Sequence, residues 1–187
     1  MPFLRNPHLD LTTSRIETDR CVLVPFSTDG RVNIRELQEE FCKANKNLWV
    51  APVLPDYDGE YEYVRSSEIK MQKWEEFENF ILDKRTQELI WAGGIRVLES
   101  GKLNIGIWIR EREHGKWYAT EIYTALIEWA RKNTDHFFLK HSLNPENIAS
   151  RKLAERFDGI LQTEKTERGH EIYHIPLDTS GLLFGKK

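Results

Sequence analysis

Arg112-Glu113-His114-Gly115-Lys116-Trp117-Tyr118-Ala119-Thr120 is a run able to grip a pyrophosphate. A strand-like segment delivers the chain, Gly115 permits a tight turn, and a helix-like segment starts at once with first-turn N–H groups and a dipole that favour anions. Arg112 and Lys116 bring two cations to the same place, suited to a diphosphate plus a further phosphate. A Gly-bearing strand-to-helix loop with incidental basic residues reads the same way, so this turn alone leaves both readings open. Asn147 and Ser150 stand three apart at the start of another helix, where both can face one groove. The plainer reading makes Asn147 an N-cap and Ser150 a first-turn residue. Asp56 to Tyr63, DYDGEYEY, sets four carboxylates among three tyrosines, with Trp49 and Trp74 near in sequence. Negative charge beside aromatic faces suits a cationic amine, and a solvated acidic loop over the core fits as well.

One further pattern is a decoy. His170-Glu171-Ile172-Tyr173-His174 matches the zinc-protease HExxH spacing, which needs a helix to put both histidines on one metal. Gly169 and Pro176 leave only a short β-rich segment, and in a strand the two rings stand ~13 Å apart. A strand face is expected and no metal site.

The elements that must position these residues follow from periodicity. Ile16 to Pro25 reads as a strand, and Val32, Ile34, Leu37 and Phe41 as a helix with Thr28 or Asp29 as its N-cap. Residues 46–60 carry Pro52, Pro55 and Gly59 and read as a loop, followed by a polar helix from Tyr61 to Lys73. Glu78 to Asp83, Glu88 to Leu98 and Lys102 to Arg110 form an antiparallel meander, the last two joined at Glu99-Ser100-Gly101. Tyr118 to Lys132 is strongly helical, with Ala119, Ile122, Ala125, Leu126 and Trp129 on one face. Phe137 to Ser142 reads as a strand, Asn147 to Phe157 as a helix burying Leu153 and Phe157, and Gly159 to Thr163 with Glu171 to Leu177 as a closing hairpin. The tail from Gly181 is expected to fray. The resulting order is β α α β β β α β α β β, an α/β (α+β) fold of about seven strands and about four helices.

Length and composition set limits on partners. A chain of 187 residues suits one domain spanning 1–187, with its core in about 15–177. With 27 basic and 30 acidic side chains, nothing draws the whole surface to nucleic acid or anionic lipid. Cys21 and Cys42 fit reduced thiols in a cytoplasmic protein better than a disulfide. The opening segment MPFLRNPHLDLTTSRIETDR has no apolar signal core, and no window approaches the ~18 apolar residues of a membrane span.

REHGKWYATEI after the strand LNIGIWIR resembles motif A of the GCN5-related N-acetyltransferases, whose pattern is Gln/Arg-x-x-Gly-x-Gly/Ala. NPENIASRKLAERF resembles the Asn-x-x-Ser signature of the ribosomal-protein N-terminal acetyltransferase branch (RimJ/RimL-like), and IETDRCVLVPF is similar to its opening strand. The resemblance covers nearly residues 15–177. It implies a mixed, mostly antiparallel central sheet and acetyl-CoA as cosubstrate without a metal. It implies coenzyme contacts from Ile107, Trp108 and Ile109, from Arg112, Gly115, Lys116, Trp117, Tyr118, Ala119 and Thr120, and from Asn147 and Ser150. The strand backbone would face pantetheine and the thioester, provided the strand splays from its neighbour.

By the same resemblance Ser150 is the proton donor to the departing thiolate, and the acceptor is a primary amine: a peptide N-terminus, a polyamine or a small molecule. The chain departs from the pattern at Trp117, where Gly or Ala usually lets the backbone approach the pyrophosphate, at Asp158-Gly159 in place of Gly-Phe, and at Trp91 in place of a frequent Gly. Asn104 stands where many relatives carry a basic Glu, leaving a water chain, Glu76 or Glu78, or an amine that arrives neutral. A non-catalytic module of the same fold, binding acyl-CoA or sensing, therefore stands beside the enzyme, and a homodimer beside a monomer.

Overall fold

The structure, a computed structural model, describes residues 5–6, 8–43 and 57–177. Its elements are β1 (Ile16–Glu17), β2 (Cys21–Pro25), α1 (Ile34–Lys43), α2 (Tyr57–Gln72), β3 (Glu76–Asp83), β4 (Leu89–Val97), β5 (Leu103–Ile109), a 3₁₀ turn (Glu111–Glu113), α3 (Tyr118–Asn133), β6 (Phe138–Leu143), α4 (Ile148–Arg156), β7 (Ile160–Lys165) and β8 (Glu171–Pro176). Among the described residues they form one eight-stranded sheet, ordered β1-β2-β3-β4-β5-β6-β8-β7. Every pairing is antiparallel except β5 with β6.

Four expectations are corrected. The single strand over residues 16–25 is a hairpin: Thr18 donates its amide to the Cys21 carbonyl at 2.9 Å and accepts the Cys21 amide on its hydroxyl at 2.8 Å. That local bonding by a polar side chain makes the turn and raises the strand count to eight. The first helix is capped by Asn33, which accepts the Arg35 amide at 3.2 Å, while Thr28 turns to Glu68 and Asp29 to Arg31. The second helix starts at Tyr57, with Asp58 and Glu60 in its first turn favouring the helix dipole and Gly59 tolerated between them. In α4, Ala154 is the buried residue, while Leu153 and Phe157 are half-buried. The expectations at Trp49, Pro52, Pro55, Asp56 and the tail, and for the side chains of Leu37, Phe41 and Cys42, lie outside the described residues.

β3 and β4 are buried along most of their length because helices cover both faces of the sheet. Directly paired antiparallel residues share a face. Glu76, Arg96 and Asn104 thus form one row, and Glu78, Gly94 and Gly106 the next. Tyr63 of α2 reaches Arg96 on this face, whereas Phe77 on the other stacks on Trp129 of α3 at 4.5 Å. A Cβ at Gly94 would meet the Phe77 carbonyl oxygen at 2.0 Å, so only glycine lets these strands pack.

β5 opens partway along. Leu103 and Ile105 are buried, Gly106 is exposed, and Ile107 to Ile109 are half-exposed. The parallel ladder to β6 consists of one partner pair, Asn104 with Lys140, beyond which the strands diverge. His174 lies in β8 stacked on Phe138 at 3.8 Å, and His170 immediately precedes that strand, so the HExxH spacing falls on extended chain. No group of three or more His, Cys, Asp or Glu among the described residues is placed to hold a metal. None of the described helices is long and apolar enough to cross a membrane.

Candidate active site

At the end of β5 the chain passes through the 3₁₀ turn and Gly115, in the left-handed region at φ +75°, into α3. Trp117 is the N-cap of α3 and is also left-handed at φ 68°, a conformation that glycine takes freely and a bulky residue takes at a cost. Trp117 is 61% exposed, and its ring centre lies 4.4 Å from the Arg156 guanidinium of α4. No side chain caps this helix end. Arg112 and Lys116 are half-exposed, and both lie near Glu113, Lys116 at 2.9 Å and Arg112 at 3.5 Å. Half of the turn's positive charge is thereby offset within the turn itself.

The β1–β2 hairpin clamps the same helix end. Arg20 donates to the Lys116 carbonyl at 2.9 Å and to the Glu121 carboxylate at 2.7 Å, and its guanidinium lies 4.3 Å from the Tyr118 ring centre. Tyr118 in turn donates to Asp83 at 3.2 Å. Burial raises the Glu121 pKa, but hydrogen bonds from Thr18 and from the Arg20 amide and guanidinium outweigh it and hold the carboxyl below its ordinary value. Ala119 and Thr120 occupy the first turn of α3, and Thr120 gives its carbonyl to the Thr124 hydroxyl.

Beyond the splay point, four elements converge. Asn147 caps α4, its side-chain oxygen accepting the Ser150 amide at 3.0 Å, which is the plainer of its two sequence readings. Ser150, half-buried, places its hydroxyl 2.8 Å from His141 Nε2 on β6. His141 Nδ1 lies 3.1 Å from the hydroxyl of Tyr123 on α3. Burial pushes the His141 pKa down to about 4, with the Ile105 carbonyl of β5 pulling it partly back, so the ring is neutral at pH 7. His141 was missed in the sequence; its one signal is a polar residue at an inward position of an alternating strand.

The opposite face carries the acidic residues. The helical start of α2 separates the carboxylates of DYDGEYEY: Asp58 and Glu62 point outward, while Glu60 is buried and one of its oxygens has no partner among the described residues. Burial pushes the Glu60 pKa up to about 7. Glu78 pairs with Arg96, which also donates to Tyr63, and Glu76 lies 3.5 Å from Lys70. Burial raises the Glu78 pKa against the pull of Arg96. Trp74 is half-buried at the end of α2 with φ 59°.

Residues 20–159 match the acetyltransferase (GNAT) domain family. The chain belongs to the GNAT family. The fold agrees with solved structures of low identity: an acetyltransferase from Agrobacterium tumefaciens, 19% identical, covers 90% of this chain and 98% of its own at a TM-score of 0.73. A Salmonella typhimurium acetyltransferase that modifies the N-terminal serine of ribosomal protein L7/L12, 16% identical, covers 88% and 100% at 0.72. RimL, a ribosomal L7/L12 α-N-protein acetyltransferase in complex with coenzyme A, is 15% identical and covers 86% and 95% at 0.71. No curated protein matches the chain.

As a GNAT acetyltransferase the chain uses acetyl-CoA as its acyl donor. The donor set fits that group. β5, joined to β6 by one partner pair, has half-exposed backbone over Ile107 to Ile109, and the α3 N-terminus, without a side-chain cap, has two cations beside it. The single partner pair between β5 and β6 agrees with the splay that the resemblance implies.

Proposed function

We propose that this chain transfers the acetyl group of acetyl-CoA to a primary amine by direct attack, with Ser150 as the acid that attends the leaving sulfur. The observation that carries this is the placement of the Ser150 hydroxyl beside His141, next to the point where β5 and β6 part. When bound, acetyl-CoA supplies an electrophilic thioester carbonyl and a thiolate leaving group. The half-exposed backbone of Ile107, Trp108 and Ile109 suits the pantetheine and the carbonyl oxygen. The turn from Arg112 through Gly115, Lys116 and Trp117 to Tyr118, Ala119 and Thr120 suits the pyrophosphate, and Asn147 holds Ser150 through the helix cap. In the transfer an N–C bond forms and the C–S bond breaks; the Ser150 hydroxyl gives its proton to the sulfur, and the proton that the amine releases returns to Ser150 through water.

Asn104 takes no useful part as a base, and Glu78 is engaged by Arg96, so the amine is best served by water or by arriving neutral. Among acceptors the peptide N-terminus is favoured, because the structural neighbours include enzymes that acetylate ribosomal protein N-termini. The buried, unpaired thiol of Cys21 supports work in a reducing compartment such as the cytosol.

The test is a thermal shift with acetyl-CoA followed by thiol release across peptide, polyamine and small amines. Stabilisation and amine-dependent thiol release are expected; no stabilisation at millimolar coenzyme would return the chain to the non-catalytic reading. Ser150→Ala should lower kcat with coenzyme affinity retained.

A further inference from the structure

We propose that His141 is a positioning residue that holds the Ser150 hydroxyl with its proton turned away from the imidazole and toward the leaving sulfur, an assignment that rests on the reading of Ser150 as the acid. Tyr123 is fully buried, and the acceptor within reach of its O–H is His141 Nδ1 at 3.1 Å. A buried hydroxyl proton left without an acceptor is costly, so Tyr123 donates and Nδ1 accepts. A neutral imidazole with Nδ1 accepting carries its proton on Nε2. That N–H then donates to Ser150 Oγ at 2.8 Å. With its lone pair engaged by the imidazole, the serine hydroxyl must send its own proton away from the ring, and Ser150 is only half-buried.

The arrangement is rigid at both ends. Tyr123 also packs against the His141 ring at 5.6 Å and against Phe157 at 4.9 Å, and the Asn147 cap fixes the Ser150 backbone. The relay therefore joins three elements: α3, β6 and α4. No proton passes through His141: it orients the donor and stays neutral.

Two measurements test this. ¹⁵N-correlated NMR of the imidazole in the wild-type protein should show the Nε2–H tautomer, with the Nε2 shift altered by Ser150→Ala. An Nδ1–H tautomer would make Nε2 the acceptor of the serine proton and overturn the proposal. In steady-state kinetics, His141→Leu should lower kcat about tenfold with the acetyl-CoA KM unchanged. The same change made on Ser150→Ala should have almost no effect, and His141→Gln, whose amide N–H can reach Oγ, should recover most of the rate. Equal losses in both backgrounds would show a merely structural histidine and overturn the role. If Ser150→Ala leaves kcat unchanged, the serine reading falls and the histidine role with it. Wild-type protein that transfers no acetyl group would sink the proposed function itself.

Discussion

Arg20, in the turn between β1 and β2, grips Glu121 in the first turn of α3 at 2.7 Å, so the opening hairpin fixes the helix end that follows the Arg112–Trp117 turn. Glu121 also accepts from Thr18 and from the Arg20 amide. Glu121→Ala should cost about 1–3 kcal/mol in urea unfolding, because it strands these donors. Its folded pKa lies below the ordinary 4.5, so its stabilising contribution is complete above that value and is lost as pH falls through the folded pKa. The variant should therefore remove part of the acid sensitivity below about pH 4.5.

Glu113 restrains the two cations of the same turn. Glu113→Gln should tighten acetyl-CoA binding several-fold at low salt, since it removes a carboxylate that competes with phosphate. The gain should shrink in added salt as screening grows, which isothermal titration at two ionic strengths would read.

His141 contributes to pH-dependent stability. Its folded pKa of about 4 lies below the unfolded 6.5, so the unfolded chain binds the extra proton first. Stability is whole above pH 6.5 and falls by about 3 kcal/mol on acidification to pH 4. His141→Gln should flatten the unfolding free energy across that window, measured by denaturant melts at several pH values.

Glu60 works in the opposite direction. Its folded pKa is raised from 4.5 to about 7, so its contribution is present in acid and lost as pH rises through 7. Glu60→Gln should raise the melting temperature at pH 8 and leave it nearly unchanged at pH 4. An equal shift at both values would mean that the burial of this carboxylate is not what sets its charge.

The helices and strands from Tyr118 to Pro176 were legible in the sequence because their apolar residues recur at strict helical or strand spacing, as at Ile122, Leu126 and Leu139. The hairpin at Thr18 was hidden by a continuous apolar flank, and the start of α2 by prolines and a glycine that lie just ahead of or inside its first turn. Gly115 and Ser150 were legible because their neighbours in sequence carry the pattern. His141 was not, since its partners Tyr123 and Ser150 come from elements that only the fold brings together. For the same reason the partner of Trp117, the Arg156 guanidinium beside its ring, was not legible, since the sequence places the two far apart.

The parting of β5 from β6 has a kinetic consequence. Under the proposed function, a donor held where β5 meets β6 by a single partner pair, on the α3 and α4 side, would leave the α2 side to the acceptor. Neither reactant has to vacate the site before the other arrives, and the buried Cys21 thiol, pushed up to about 12, cannot carry the acyl group between them. Initial-rate plots at varied donor and acceptor should intersect rather than run parallel, the signature of a sequential order of encounters with no acyl-enzyme stage.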